Sequence, residues 1–209
     1  MANFLFVRHG TTDWVEDQIL HGITDIPLNK KGEKQAEETA RALRGCGAKK
    51  LYTSSLSRCV QTANAICNEV GPEPISMDRL VELNFGWLEG KHLRNHSKGE
   101  YGKLLEIIDY YFLNSIRIVS GESKKKLNQR VLNGWNTILG ENPEGTAIVV
   151  AHSAVFNSLL FHYFGKAHLD GKIYLHLNPC SITEISIDAS NQARLIRLND
   201  NSHLSEKNQ

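Results

Sequence analysis

The chain has 209 residues, 41% of them apolar, which is enough for one substantial α/β core. Its 24 basic and 23 acidic residues leave a formal net charge of +1, so there is no global field for nucleic acid or an anionic membrane, and an anionic ligand must be held by a local cluster. Cys46, Cys59, Cys67 and Cys180 show neither Cys-x-x-Cys spacing nor a dense framework; with no signal peptide and no apolar run of membrane length, a reducing, cytoplasmic setting is expected.

The first predicted element is Phe4-Leu5-Phe6-Val7, a buried strand that runs without a break into Arg8-His9-Gly10-Thr11-Thr12. A charged pair is thereby delivered to a strand's C-terminal end, where open parallel sheets bind ligands. Taken alone the tripeptide is equally compatible with a packed core histidine. A polar loop from Gly22 to Leu28 follows, too poor in apolar periodicity to bury itself and therefore placed beside the first turn. Residues 31–44 carry Ala36, Ala40 and Leu43 at helical spacing.

Lys50 to Ser54 reads as a second strand, and the helix after it has Cys59, Ala63, Ile66 and Val70 on one face, with Ser55 or Ser57 as its expected cap. Arg58 then falls in the first turn, a poor place for a cation against the helix dipole unless an anion binds there; the alternative is a plain surface residue. Ile75 to Met77 reads as an edge strand. Leu80 to Gly90 mixes apolar residues, carboxylates and glycines without a clean period and is expected to be a loop held against something.

Helices are expected over 100–115 and 123–139, the second introduced by Gly121-Glu122-Ser123. Thr146 to Ala151 then repeats the logic of the opening, an apolar strand running straight into His152. Two parallel strands ending in histidine at one edge would present two imidazoles to one pocket. A helix over 154–164, two alternating strands over 181–187 and 193–198, and a frayed tail from about 199 to 209 complete the chain. The histidines show no metal-binding spacing beyond an i, i+4 pair at His92 and His96 without a third ligand, so no metal is expected.

In this order, Arg8-His9-Gly10, the Gly22–Leu28 loop, Ser54–Ala63, Leu80–Gly90, Gly121-Glu122-Ser123 and His152 resemble the motifs of the histidine phosphatases, the superfamily of phosphoglycerate mutase, over about residues 3–187. The resemblance implies a three-layer α/β/α sandwich with a mostly parallel central sheet. It implies one domain over 1–209, with about 91–140 as a helical region over the site, no cofactor, and a phosphohistidine intermediate. By the same resemblance His9 is the nucleophile and Glu82 the proton donor, while Arg8, Arg58, His152 and Ser153 bind phosphate. Thr11, Gly22, Ile23 and Thr24 are the implied substrate contacts, with Arg94 and Tyr101 as weaker candidates.

Three positions depart from the family pattern: Val15 for asparagine, Leu88 for tryptophan, and Ser153 for glycine, the last adding a side chain that could crowd the phosphate. Phe85 to Gly90 is similar to the phosphatase branch, including the α-ribazole phosphate phosphatases, and the chain is short for a mutase. The expectation is a hydrolase acting on a small phosphorylated metabolite, with mutase-type transfer or non-catalytic phosphate recognition as alternatives. Neither nucleic acid nor membrane is an expected partner, and the edge strands leave a homodimer open.

Overall fold

Strand β1 (Ala2–Arg8) has no polar face, and its alternating side chains are divided between two helical layers. The computed structural model describes residues 1–92, 121–165, 174–205 and 208. Within them, in chain order after β1, come α1 (Asp13–Glu16), α2 (Lys30–Ala42), β2 (Ala48–Thr53), α3 (Ser57–Val70) and β3 (Pro74–Ser76). Two 3-10 turns at Asp78–Leu80 and Gly86–Leu88 follow, then α4 (Lys124–Glu141), β4 (Gly145–Ala151), α5 (Ser153–Phe164), β5 (Ile182–Ile187) and β6 (Ala193–Asp200). The helix expected over 100–115, together with Arg94, His96 and Tyr101, lies outside the described residues.

The strands form one sheet in the order β3-β2-β4-β1-β5-β6, parallel from β3 to β1 and antiparallel at β5 and β6. Phe4 and Phe6 of β1 pack with Trp135 of α4 and with Val155, Phe156 and Leu159 of α5. Leu5 and Val7 face the other way, against Ala40 and Leu43 of α2 and Cys59, Ala63 and Ile66 of α3. The sheet is therefore covered on both faces, as the sequence led one to expect. Trp135 stands edge-on to Phe4, ring centroids 4.6 Å apart, directly beneath the strand that carries the first histidine.

Two expectations are corrected. Neither Ser55 nor Ser57 caps α3: its cap position is Leu56, and the Ser57 N–H and hydroxyl both donate to Asp25 Oδ1, at 2.8 and 2.7 Å. The described residues of the polar tail are packed against the domain. Leu204 is buried with Leu28, Ala36 and Cys180, Ser205 donates to Glu38, and the Asn208 carbonyl accepts from Gln35 Nε2 at 2.7 Å. One buried leucine in a polar run, with hydrogen bonds to Glu38 and Gln35, holds it.

Gly32, near the start of α2, lies against the turn after β1 so closely that an added Cβ would sit 2.0 Å from the Thr11 carbonyl oxygen. Gly140 in α4 meets nothing within 4 Å. Chemical denaturation should therefore show opposite signs for one substitution: Gly140→Ala stabilises by about 0.5–1 kcal/mol through helix propensity. Gly32→Ala destabilises by about 1–3 kcal/mol, because the backbone it strikes cannot rotate away.

Candidate active site

The β1–β4 register pairs Arg8 with Ala151, so the next residues, His9 and His152, emerge side by side at the strands' C-terminal ends. The His9 N–H donates to the Ala151 carbonyl at 3.1 Å, and the two imidazole centroids lie 5.1 Å apart. His9 is buried, and its Nδ1 donates to the Gly10 carbonyl at 2.8 Å; a carbonyl can only accept, so the proton is on Nδ1 and Nε2 keeps its lone pair. Burial is the main force holding His9 well below its ordinary value of 6.5, with the charges of Arg58 and Arg8 second. His152 is held neutral in the same way, by burial first and then by Arg58 and His9. Its Nε2 lies 2.8 Å from Ser54 Oγ and 3.4 Å from Cys59 Sγ, whose thiol burial keeps protonated.

Arg58 is 0% exposed and has no carboxylate in hydrogen-bonding contact; its Nη1 donates to the Thr24 carbonyl at 3.0 Å and its Nη2 to that of Gly22 at 2.9 Å. Arg8 Nη1 donates to the Leu177 carbonyl. Each arginine keeps a buried Nε–H without a partner. Glu82, after the first 3-10 turn, accepts from its neighbour's Leu83 N–H at 2.9 Å and reaches Ala154 N–H in the first turn of α5 at 3.5 Å. Burial pushes the Glu82 carboxyl up, against the opposing pull of Leu83 N–H and of both arginines. Helices α3 and α5, which begin at this edge, have no cap from the side chain of their own N-cap residue, whereas α1, α2 and α4 are capped by Thr12, Asn29 and Ser123. The N-terminal ends of the α3 and α5 dipoles add positive potential to the cluster.

Arg8, His9, Arg58, Glu82 and His152 are thus gathered at one edge. Ser153 joins them at the start of α5, and its hydroxyl, the suspected source of crowding, accepts from Tyr174 OH at 2.6 Å. Leu88 is buried in the second 3-10 turn. Of the remaining candidates, Thr11 is bonded within the turn after β1, and Gly22 and Thr24 border Arg58. Thr11 N–H donates to Gln35 Oε1 and its carbonyl accepts from Asn29 N–H. The N–H groups of Ile23 and Thr24 donate to the Glu89 carboxylate at 3.0 and 2.9 Å, as does Phe85 N–H at 3.0 Å. The turn at Gly22–Thr24 therefore acts by holding Arg58, and what it presents outward is the Ile23 side chain, 41% exposed.

Two participants were not read from the sequence. Glu89 binds backbone amides, which carry no sequence signal. His21 stands 6.4 Å from His9 by ring centroid, with Nε2 2.6 Å from Thr12 Oγ1, and burial and the arginines lower it to about 4. Its only signal was its place in a polar loop beside the first turn. Among the described residues no three metal-ligating side chains converge. None of the described helices is long and apolar enough to cross a membrane.

A mostly parallel sheet that gathers two neutral imidazoles, a buried and a half-buried guanidinium group and a carboxyl at its edge defines a phosphate-handling class of protein. The family model of the histidine phosphatase superfamily (branch 1) matches residues 4–201, and the chain belongs to that superfamily. It is 31% identical to a Cronobacter sakazakii protein named "Probable phosphoglycerate mutase GpmB", over 91% of this chain and 87% of that one. Among solved structures it is similar to phosphoglycerate mutase from Bacillus anthracis, with a TM-score of 0.83, 21% identity, and coverage of 97% of this chain and 94% of that one. It is also similar to phosphoserine phosphatase from Entamoeba histolytica, solved with 3-phosphoglyceric acid, with a TM-score of 0.79, 22% identity, and coverage of 98% and 100%.

Two outcomes follow from this geometry. Removing the carboxylate in Glu89→Ala leaves three backbone N–H groups without their acceptor and should lower stability in urea by about 1–3 kcal/mol. The pH dependence has a definite sign. His9, His21 and His152 titrate lower in the folded chain than unfolded, so the unfolded state takes up more protons and stability falls as pH drops below 6.5, down to about 4 for His21. Glu82, raised on folding, acts in the opposite direction but is one group against three. Urea midpoints across pH 7 to 4 should therefore fall, and fall less steeply in His21→Gln.

Proposed function

We propose that this protein is a cytoplasmic, metal-independent phosphomonoester hydrolase that acts through a phosphohistidine on a small phosphorylated metabolite. The observation that carries the reading is His9: a buried, neutral imidazole anchored through Nδ1, its Nε2 lone pair free, flanked by two arginines that each keep an unpartnered N–H. Nε2 attacks phosphorus in line while the ester oxygen leaves. Arg8, Arg58 and His152 take the charge spread over the phosphoryl oxygens, which is the largest catalytic contribution in phosphoryl transfer. Glu82, raised by burial, gives its proton to the departing alkoxide. The carboxylate so formed takes a proton from the water that attacks phosphorus; the P–N bond breaks, and His9, inorganic phosphate and protonated Glu82 are regenerated.

Hydrolysis is favoured over transfer by the Phe85–Gly90 stretch, which is similar to that of the phosphatase branch. Chain length does not separate the two, since a relative named as a mutase matches over 87% of its own length. That relative's name keeps phosphoglycerate isomerisation as the second reading.

The test is turnover of a panel of monoesters, including phosphoglycerates, phosphoserine, sugar phosphates, nucleotides and α-ribazole phosphate, with a chelator present. Wild type should release phosphate, and His9→Ala should lose about 10⁴-fold or more while remaining folded. Faster isomerisation of phosphoglycerate with a bisphosphoglycerate primer would select the mutase reading. Vanadate binding without turnover of any ester would leave a recognition protein.

A further inference from the structure

Glu82 has little of its own to hold it: its carboxylate contacts are the next residue's N–H and, at 3.5 Å, that of Ala154. Its position must come from the backbone of residues 79–84, an irregular segment between a 3-10 turn and a loop. Arg130 of α4 closes on that backbone from outside the site. Nη1 donates to the carbonyls of Arg79 at 2.9 Å and Val81 at 2.8 Å, and Nη2 reaches that of Glu82 at 3.3 Å. The guanidinium is itself fixed by Glu122, from Nε to Oε1 at 2.9 Å and from Nη2 to Oε2 at 2.7 Å. Glu122 is in turn tied to the segment's far end, its N–H donating to the Asn84 carbonyl at 2.8 Å. The contact is close along its length. Leu80 is buried among Leu127, Val131 and Trp135, and a Cβ on Gly134 of α4 would lie 2.9 Å from that of Arg79.

We propose that Arg130, braced by Glu122, is the residue that positions Glu82 for proton donation to the leaving group. The inference rests on the role given to Glu82 above. Only an arginine can do this: three carbonyls and a carboxylate are met by one planar fork, whereas a lysine ammonium is a point charge that cannot span them. The phosphate-holding groups Arg8, Arg58 and His152 sit on β1, α3 and the β4–α5 junction, and Arg130's hydrogen bonds go instead to the backbone of residues 79–82 and to Glu122, so its loss should act chiefly on the leaving group.

That separation gives the test. A p-nitrophenolate leaves without a proton, whereas an alkoxide needs one, and kcat/KM reports only steps up to formation of the phosphoenzyme. In Arg130→Lys, kcat/KM for glycerol 2-phosphate should fall about tenfold or more while that for p-nitrophenyl phosphate changes by less than about threefold, with vanadate affinity retained. Glu82→Gln should show the same split, larger. Glu122→Gln, which keeps the guanidinium but loosens its brace, reads the same ratio should the lysine variant fold poorly. Equal losses for both esters, or weakened vanadate binding, would make Arg130 a general structural residue and overturn the proposal. A split in Glu82→Gln without one in Arg130→Lys overturns the positioning alone; no split in Glu82→Gln removes the proton-donor role on which it rests.

Discussion

The fold buries a full positive charge at Arg58 whose direct hydrogen bonds go to backbone carbonyls. Taking such a group out of water costs several kcal/mol even after relaxation, and the charges of Glu82 and Asp25, without a direct hydrogen bond, offset it only in part. The Gly22–Thr24 carbonyls supply the partial negative charge, so this loop must be ordered although it has almost no apolar surface to bury. Its order comes from polar contacts on every side: Glu89 on the Ile23 and Thr24 amides, Gln61 on Leu28 N–H at 2.8 Å, and Asp25 on Ser57. Much of the surrounding polar network thus exists to make one buried guanidinium tolerable, and that cost makes sense at a site where an anion completes the charge balance.

The same burial pushes the site's groups in opposite directions along the proton scale. His9 and His152 lose their protons and the Glu82 carboxyl holds its own more tightly, because low-dielectric surroundings penalise whichever form is charged. Imidazoles pushed toward their neutral form beside a carboxyl pushed toward its protonated form are the pairing that the proposed attack and leaving-group protonation require. The arginines assist the first and oppose the second, so desolvation, the largest cause in all three cases, has to prevail over them at Glu82. Geometry and protonation state therefore have one origin, the packing of α4 and α5 over β1 and β4.

The sheet and the two histidines were legible because they are written in side chains: apolar runs of strand length ending in imidazole, and helical spacing in α2 and α3. Two parallel strands adjacent in the sheet turn that repetition into a ring contact of 5.1 Å. What the sequence concealed shares a different trait. Glu89 holds amides, Arg130 holds carbonyls, Gln35 holds Thr11 N–H and Asn208 O, and Asp25 bonds to the start of α3 from 32 residues upstream. Every residue has a backbone, so such partners leave no pattern to find, and a cap that arrives through space is invisible to a local reading.

The site is also graded in how firmly it is held. His9 and His152 extend the two central strands, and the residues beyond the strand ends remain in the hydrogen-bond network: Ser54 N–H bonds to Val150 O at 3.0 Å, and Cys180 N–H to Arg8 O at 3.0 Å. A nucleophile loses rate steeply with displacement, so the role proposed for His9 suits a place where neighbours on both sides fix the backbone. Glu82 sits on an irregular segment held by Arg130, the Glu122 N–H and the buried Leu80, and the Gly22–Thr24 turn is held by Glu89 and Arg58, with no strand pairing in either. Phosphorus chemistry is common to every ester, whereas the alcohol differs from one to the next. A scaffold rigid at the phosphate and adjustable toward the alcohol can change substrate without rebuilding its nucleophile, which accounts for proteins named as mutases and as phosphatases sharing this fold.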